Sequence, residues 1–199
     1  MYIIQQMRYS AEHKQETRDR IVRAASRQFR RRGGNGLAIA DLMRELNLTH
    51  GGFYKHFDSK QQLLAEAISK GFDETESGFK DALSKAKPGT ELKLIIEHYL
   101  SLEHCANPAD GCPAAALASE IARYPRVVRL EIDRAMQKRV KRMAQFMPGA
   151  TVKERERNWL VLISGMMGAV NLARAAVDPV SRKNILAASK EFYIKAFCN

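Results

Sequence analysis

Leu48-Thr49-His50-Gly51-Gly52-Phe53-Tyr54-Lys55-His56-Phe57 is the stretch whose reading decides the fold. Thr49 is a good helix N-cap, because its hydroxyl accepts from a free amide of the first turn. The helix it opens is short and holds two adjacent glycines, each costing about 1 kcal/mol relative to alanine. A chain keeps that cost where its backbone must come close to something. Phe53 and Phe57 share a face at helical spacing and point to the core. His50 with Tyr54, and Gly51 with Lys55, share the same spacing on the outward faces. His50 and Lys55 carry donors for base edges, and Lys55 suits guanine O6 and N7. Tyr54, His56 and Lys60 stand where they would clamp phosphates, Lys60 aided by the positive end of the helix it begins. A single surface histidine is ordinary. A cap, two glycines, an aromatic and several basic groups at one turn point to DNA.

The residues before this stretch support that reading. Ile39, Leu42, Met43 and Leu46 form the apolar stripe of another short helix. Asn47 tolerates the left-handed backbone of a tight turn, and Leu48 is the buried turn residue. Two short helices joined this way form a helix-turn-helix, which lays its second helix in the major groove. Upstream, a helix over Lys14 to Arg32 puts Ile21, Ala24, Ala25, Gln28 and Phe29 on one face. Arg20, Arg23, Arg27, Arg30 and Arg31 fill the rest, as a solvated surface or beside phosphates. Gly33-Gly34-Asn35-Gly36 ends it. Residues 1–13 show no period and read as a loose arm.

Downstream, Asp58 or Ser59 caps a longer helix, with Gln62 reaching back to the cap, and Leu64, Ile68, Phe72 and Phe79 on its apolar side. Lys87-Pro88-Gly89 breaks the chain before a helix over 90–103. Pro113 begins another with Cys112 at its cap, and Pro125 interrupts it. A helix over 126–147 stops at Pro148-Gly149. Thr151 and Glu154 form a second capping box, opening a helix to about Ala176, and Asp178-Pro179 starts the last. The expected fold is all-α with about nine helices. A three-helix helix-turn-helix domain at 1–58, with its arm at 1–13, precedes a larger effector-binding and dimerisation domain at 59–199.

Charge agrees. The 199 residues carry a net charge of +11. Residues 1–60 hold 12 Lys+Arg against 6 Asp+Glu, a net +6, so the first third carries more than half of the excess. Solubility and an anionic membrane surface are the other readings of such a charge, but no helix shows the broad lysine-rich face a membrane surface needs. Three cysteines, Cys105, Cys112 and Cys198, do not make a secreted disulfide framework, and no leader-like apolar run opens the chain, so a cytoplasmic protein is expected. Residues 159–177 are the most apolar, yet include Arg174, which a membrane span would not tolerate cheaply. The competing class, a helical enzyme, lacks a phosphate loop, a nucleophile elbow and a His/Glu metal motif. No cofactor is implied.

Residues 18–68, with the quoted decapeptide followed by Ser59-Lys60 and Leu63, resemble the DNA-binding domain of the TetR/AcrR family of transcriptional regulators. The resemblance implies a homodimer on a palindromic double-stranded DNA operator, usually as a repressor, released when a small molecule of unknown identity enters the C-terminal domain. It implies DNA contacts from Thr49, His50, Gly51, Tyr54, Lys55, His56 and Lys60. Two positions depart from the family pattern. Ala38 stands where Ser or Thr commonly caps a helix and touches phosphate, and Asn47 replaces a common turn glycine.

Behind this module the signal is fainter. Gly165, Gly168, Ala169 and Ala173 suit close helix packing, within the chain or in a dimer interface inside 153–197. Tyr99, Met136, Met143, Phe146, Trp159, Ile163 and Met167 could line an apolar effector cavity, with methionine equally usable as core filler. Cys112, a thiol at a helix N-terminus, is either a reactive group through which the regulator senses electrophiles or oxidants, together with Cys105, or a small buried side chain. His104, Cys105 and Cys112 lack the paired spacing of a metal site.

Overall fold

The computed structural model describes the backbone of residues 2–34, 36–84 and 86–198, and the side chains of these except 2–10, 79, 81 and 82. Among them run nine α-helices and two short 3-10 helices, without a strand. In order they are α1 (Tyr2–Arg32), α2 (Ile39–Glu45), the recognition helix (His50–Lys55, 3-10), α3 (Lys60–Ser84), α4 (Glu91–Tyr99), α5 (Leu102–Ala106), α6 (Pro113–Ile121), α7 (Arg126–Met143), a 3-10 turn (Ala144–Phe146), α8 (Val152–Ala175) and α9 (Pro179–Phe197). The all-α expectation holds. The expected Phe79 contact lies outside the described side chains.

Two elements differ from their expected bounds. Residues 1–13 are not a loose arm, since α1 is helical from Tyr2. No glycine or proline interrupts residues 2–32, so a helix nucleated by the packed segment propagates through the unpatterned one. The helix expected over 90–103 is two. α4 stops at Tyr99, and Ser101 caps α5 by accepting from the His104 amide at 3.0 Å. The break turns Leu100 inward, 1% exposed, and leaves Leu102 half in solvent.

Where capping chemistry was legible, the ends agree. Ser59 Oγ accepts from the Gln62 amide at 3.1 Å, and Gln62 Oε1 accepts from the Asp58 amide at 2.8 Å. Thr151 and Glu154 repeat the arrangement at the start of α8. Ala38 begins α2 without a side-chain cap.

α1 packs on α3, and α3 continues onto α7, so one unbroken helix serves both halves of the molecule. α6 lies against α1 on one side and α8 on the other, while α9 packs on α8 and α4. The core runs through all of these, from Ile21, Phe29, Phe53 and Phe57 to Ile95, Trp159 and Leu162. Half-buried Arg174 is satisfied by the free C-terminal carbonyls of α5, Cys105 at 3.0 Å and His104 at 3.2 Å. A cation at a helix C-terminus completes its orphan acceptors. Among the described residues, no helix is long and apolar enough to cross a membrane.

Candidate nucleic-acid interface

The sharp turn into the recognition helix is made by Asn47, at φ 57° the one described non-glycine residue with left-handed backbone. Its amide donates to Arg44 O at 3.0 Å, and the Leu48 amide to Met43 O at 2.8 Å, which closes α2. Leu48 is half-buried against the core. Thr49 Oγ1 then accepts from the Gly52 amide at 3.2 Å, the expected cap.

The two glycines differ. A Cβ on Gly52 would stand 3.2 Å from Thr49 Oγ1, so glycine leaves room for the cap. A Cβ on Gly51 would meet nothing within 4 Å. Nothing inside the chain requires glycine there.

Phe53 and Phe57 are buried, each 1% exposed, with ring centroids 5.4 Å apart. The Arg18 guanidinium lies 4.6 Å over the Phe57 ring and pairs with Glu66 at 2.6 Å, which holds the start of α3 against α1. With the phenylalanines anchored, His50, Gly51, Tyr54 and Lys55 are left on the exposed side. The His50 ring meets Tyr54 edge-on at 6.0 Å.

His56 is placed differently from its neighbours. It is half-buried, and its Nδ1 is enclosed without a partner. Burial, then the charges of Lys14, Arg18 and Lys55, lowers its pKa. This favours the uncharged imidazole. It borders a groove of about 670 Å³ with His13, Lys14, Thr49 and Lys55. His13 falls in the segment expected as an arm, and Lys14 begins the helix expected after it; α1 carries both to the groove. Lys60, the first residue of α3, faces a separate hollow shared with Gly34, Glu120 and Arg123.

The arginine face of α1 divides, with Arg20, Arg23 and Arg31 exposed and Arg27 and Arg30 engaged by the chain. Arg27 pairs with Asp110 in the loop before α6. Arg30, only 4% exposed, donates to Gly111 O at 2.9 Å and Glu74 Oε2 at 2.8 Å. At the other end of α6, Glu120 Oε2 accepts from the Gly34 amide at 2.7 Å and from Tyr124 Oη at 3.1 Å. α6 is thus clasped to the N-terminal helices at both ends, a coupling no local motif announces.

Of the eight residues expected around an effector, only Tyr99 borders the cavity of about 200 Å³ between α3, α4 and α5. Met136 is 38% exposed on the outer side of α7. Trp159 and Met143 are core, and Phe146, Ile163 and Met167 pack against it. Met143, Phe146, Trp159, Ile163 and Met167 thus act here as packing. Cys112 caps α6 by backbone position, yet it is 2% exposed, and its amide is held by His104 Nε2 at 3.2 Å. His104 Nδ1 donates to Tyr99 O at 2.7 Å, so both ring nitrogens are occupied.

Three of the four small residues of the α8 stripe, Gly165, Ala169 and Ala173, also turn inward. A Cβ on Gly165 would fall 1.6 Å from Tyr193 Oη, and Ala169 and Ala173 are buried within the chain. The open side is the next one, with Leu160, Gly168 and Leu172 on α8 and Phe192 on α9. Leu172 is 64% and Phe192 65% exposed.

Residues 21–67 match the family model described as bacterial regulatory proteins, tetR family. The chain is 36% identical over 69 residues to the HTH-type transcriptional regulator TtgR of Pseudomonas putida, covering 35% of this chain and 32% of that protein. It is 24% identical over 124 residues to the HTH-type transcriptional repressor DhaR of Mycobacterium sp., covering 62% of each. The chain thus matches less than two thirds of these relatives' length. The fold resembles that of a TetR-family transcriptional regulator from Agrobacterium tumefaciens, with a TM-score of 0.73, 21% identity and coverage of 94% of this chain and all of that one.

Proposed function

We propose that this chain, whose residues 21–67 match the tetR family of bacterial regulatory proteins, is a cytoplasmic, sequence-specific repressor of that family that binds a palindromic operator as a homodimer and leaves it when a small molecule binds. The observation that carries the DNA reading is the Thr49-capped helix, whose anchored phenylalanines leave His50, Tyr54 and Lys55 outward beside an unobstructed Gly51. His50, Gly51 and Lys55 face base edges. Thr49, Tyr54 and neutral His56 meet phosphates, and Lys60 holds a second phosphate from its own hollow. Residues 1–58 form the reading unit and 59–199 the sensing and dimerising one. The exposed apolar side of α8 and α9 supports a four-helix interface between two copies. DhaR, a matched relative, is named a repressor. Thiol sensing through Cys112 has less support, because a buried thiol is the inert kind.

A gel-shift titration with duplexes tiled across the DNA flanking the coding sequence tests this. Specific, salt-sensitive binding is expected. Lys55→Ala should cost about 1–3 kcal/mol and relax preference at one base position, whereas Lys60→Ala should weaken all sequences and lower the salt slope by about one. Absence of binding at every salt concentration overturns the proposal.

A further inference from the structure

The inner face of α7 runs Val128, Ile132, Arg139, Met143. One member of this buried stripe is an arginine. Arg139 is 5% exposed and faces α3, with its guanidinium 5.9 Å from the centre of the Phe72 ring. Among the described residues its one hydrogen bond is a 3.3 Å contact to Phe72 O, a carbonyl inside a helix, and its Nε is enclosed without a partner. Every carboxylate described on the facing stretch of α3 is engaged by another arginine. Glu66 holds Arg18, Glu74 holds Arg30, and Asp73 and Glu76 both pair with Arg142.

A second donor close by is also unanswered. Tyr99, from α4, is 2% exposed, and its hydroxyl has no oxygen or nitrogen partner. The hydroxyl lies beside the Cys112 thiol, a weak acceptor, and within reach of the positive charge of both Arg139 and Arg174. Arg174 is not in the same position, since it is satisfied by the carbonyls of α5.

A buried cation without a carboxylate partner and a buried hydroxyl with only a thiol beside it each destabilise the free protein. Both are donors, and among the described residues Arg139 finds one backbone carbonyl and Tyr99 only a weakly accepting thiol. We propose that Arg139 and Tyr99 form the recognition centre for an anionic effector, a small carboxylate on an apolar body, which enters between α3, α4 and α7. The carboxylate takes the guanidinium and the hydroxyl as donors. The surrounding core, with Phe72 and Met143, takes the apolar body. This rests on the repressor reading only in naming the ligand an effector; the binding itself is independent of DNA.

The test is thermal unfolding of the full chain, without DNA, in the presence of benzoate, octanoate or decanoate, against benzamide, octanamide and octylamine. At least one carboxylate should raise Tm by roughly 5 °C when it is about a hundredfold above its Kd, and the matched amide and amine should not. Tyr99→Phe should weaken that response severalfold. Arg139→Met should abolish it while leaving the ligand-free protein as stable as the parent or more so, because the substitution removes a lone buried charge. Equal shifts from carboxylate and amide, no shift from any carboxylate, or an Arg139→Met protein that is less stable or fails to fold overturns the proposal. Should the gel-shift fail while the carboxylate response holds, the regulator reading falls and the anion centre stands.

Discussion

Two regions of this molecule use the same residue types for opposite ends. The turn at Thr49–Lys60 and the seam where α6 meets α1 each contain a glycine pair, basic side chains and a half-buried or buried histidine. In the turn, Gly51 has open space before it, and Tyr54 and Lys55 reach outward. In the seam, a Cβ on Gly33 would fall 2.4 Å from Glu120 Oε1, and Arg30 is consumed by Glu74 and Gly111. The first region leaves its groups exposed, and the second spends them within the chain. A residue's chemistry therefore says little until its surroundings show which side of the surface it answers to.

The histidines sharpen this contrast most. His104 sits at the seam's edge, donating to Tyr99 O and accepting from the Cys112 amide that starts α6. Burial first, then the charges of Arg174 and His98, lowers its pKa to about 4, against a raising hydrogen bond to the Tyr99 carbonyl. The native state therefore resists a proton that the unfolded chain accepts near pH 6.5. Stability contributed by neutral His104 is complete above about pH 6.5, falls as the pH drops towards 4, and changes no further below that. The loss is on the order of 3 kcal/mol. His104→Gln keeps a donor and an acceptor without the titration, so the difference in Tm between parent and variant should shrink or invert between pH 7 and pH 4. A difference independent of pH would mean that His104 is not held neutral in the fold.

A smaller effect is expected at the glycine of the seam. Gly33 has φ +80°, and alanine there meets both the left-handed penalty and the Glu120 carboxylate that accepts from Gly34. Gly33→Ala should cost about 1–3 kcal/mol, read as a lower urea midpoint with an unchanged slope. An unaltered midpoint would show that the clasp yields freely, and that α6 does not hold the N-terminal helices.

What was legible in the sequence follows the same division. The recognition turn, the caps at Thr49, Ser59, Thr151 and Asp178, and the left-handed Asn47 are local, with partners within four residues, and so were readable. Arg27, Arg30 and Glu120 were not, because their partners lie about eighty residues away. α8 illustrates the limit. Gly165, Ala169 and Ala173 pack closely within the chain while Gly168 does not, and which side packs depends on where Tyr193 of α9 arrives. The methionines failed as a guide to a cavity for a related reason. Met136 and Met143 share a helix, yet one is outside and one is core, since α3 and α8 cover only part of α7.

The least expected effect on stability belongs to Gly51, and it is the one that separates the two regions most cleanly. Gly51 and Gly52 are neighbours in one short helix, and both cost about 1 kcal/mol against alanine by propensity alone. Gly52→Ala presses on Thr49 Oγ1 at 3.2 Å and should forfeit much of the cap, about 1 kcal/mol. Gly51→Ala meets open space, so it should leave the thermal midpoint unchanged or slightly raised. If the open space is where a base edge or phosphate comes in, the same methyl should weaken specific DNA binding about tenfold or more, as one lost close contact worth about 1.4 kcal/mol would. Full DNA affinity in a folded Gly51→Ala protein would mean that this face does not meet the duplex, and would shift the contact surface towards the groove of Lys14 and Lys55.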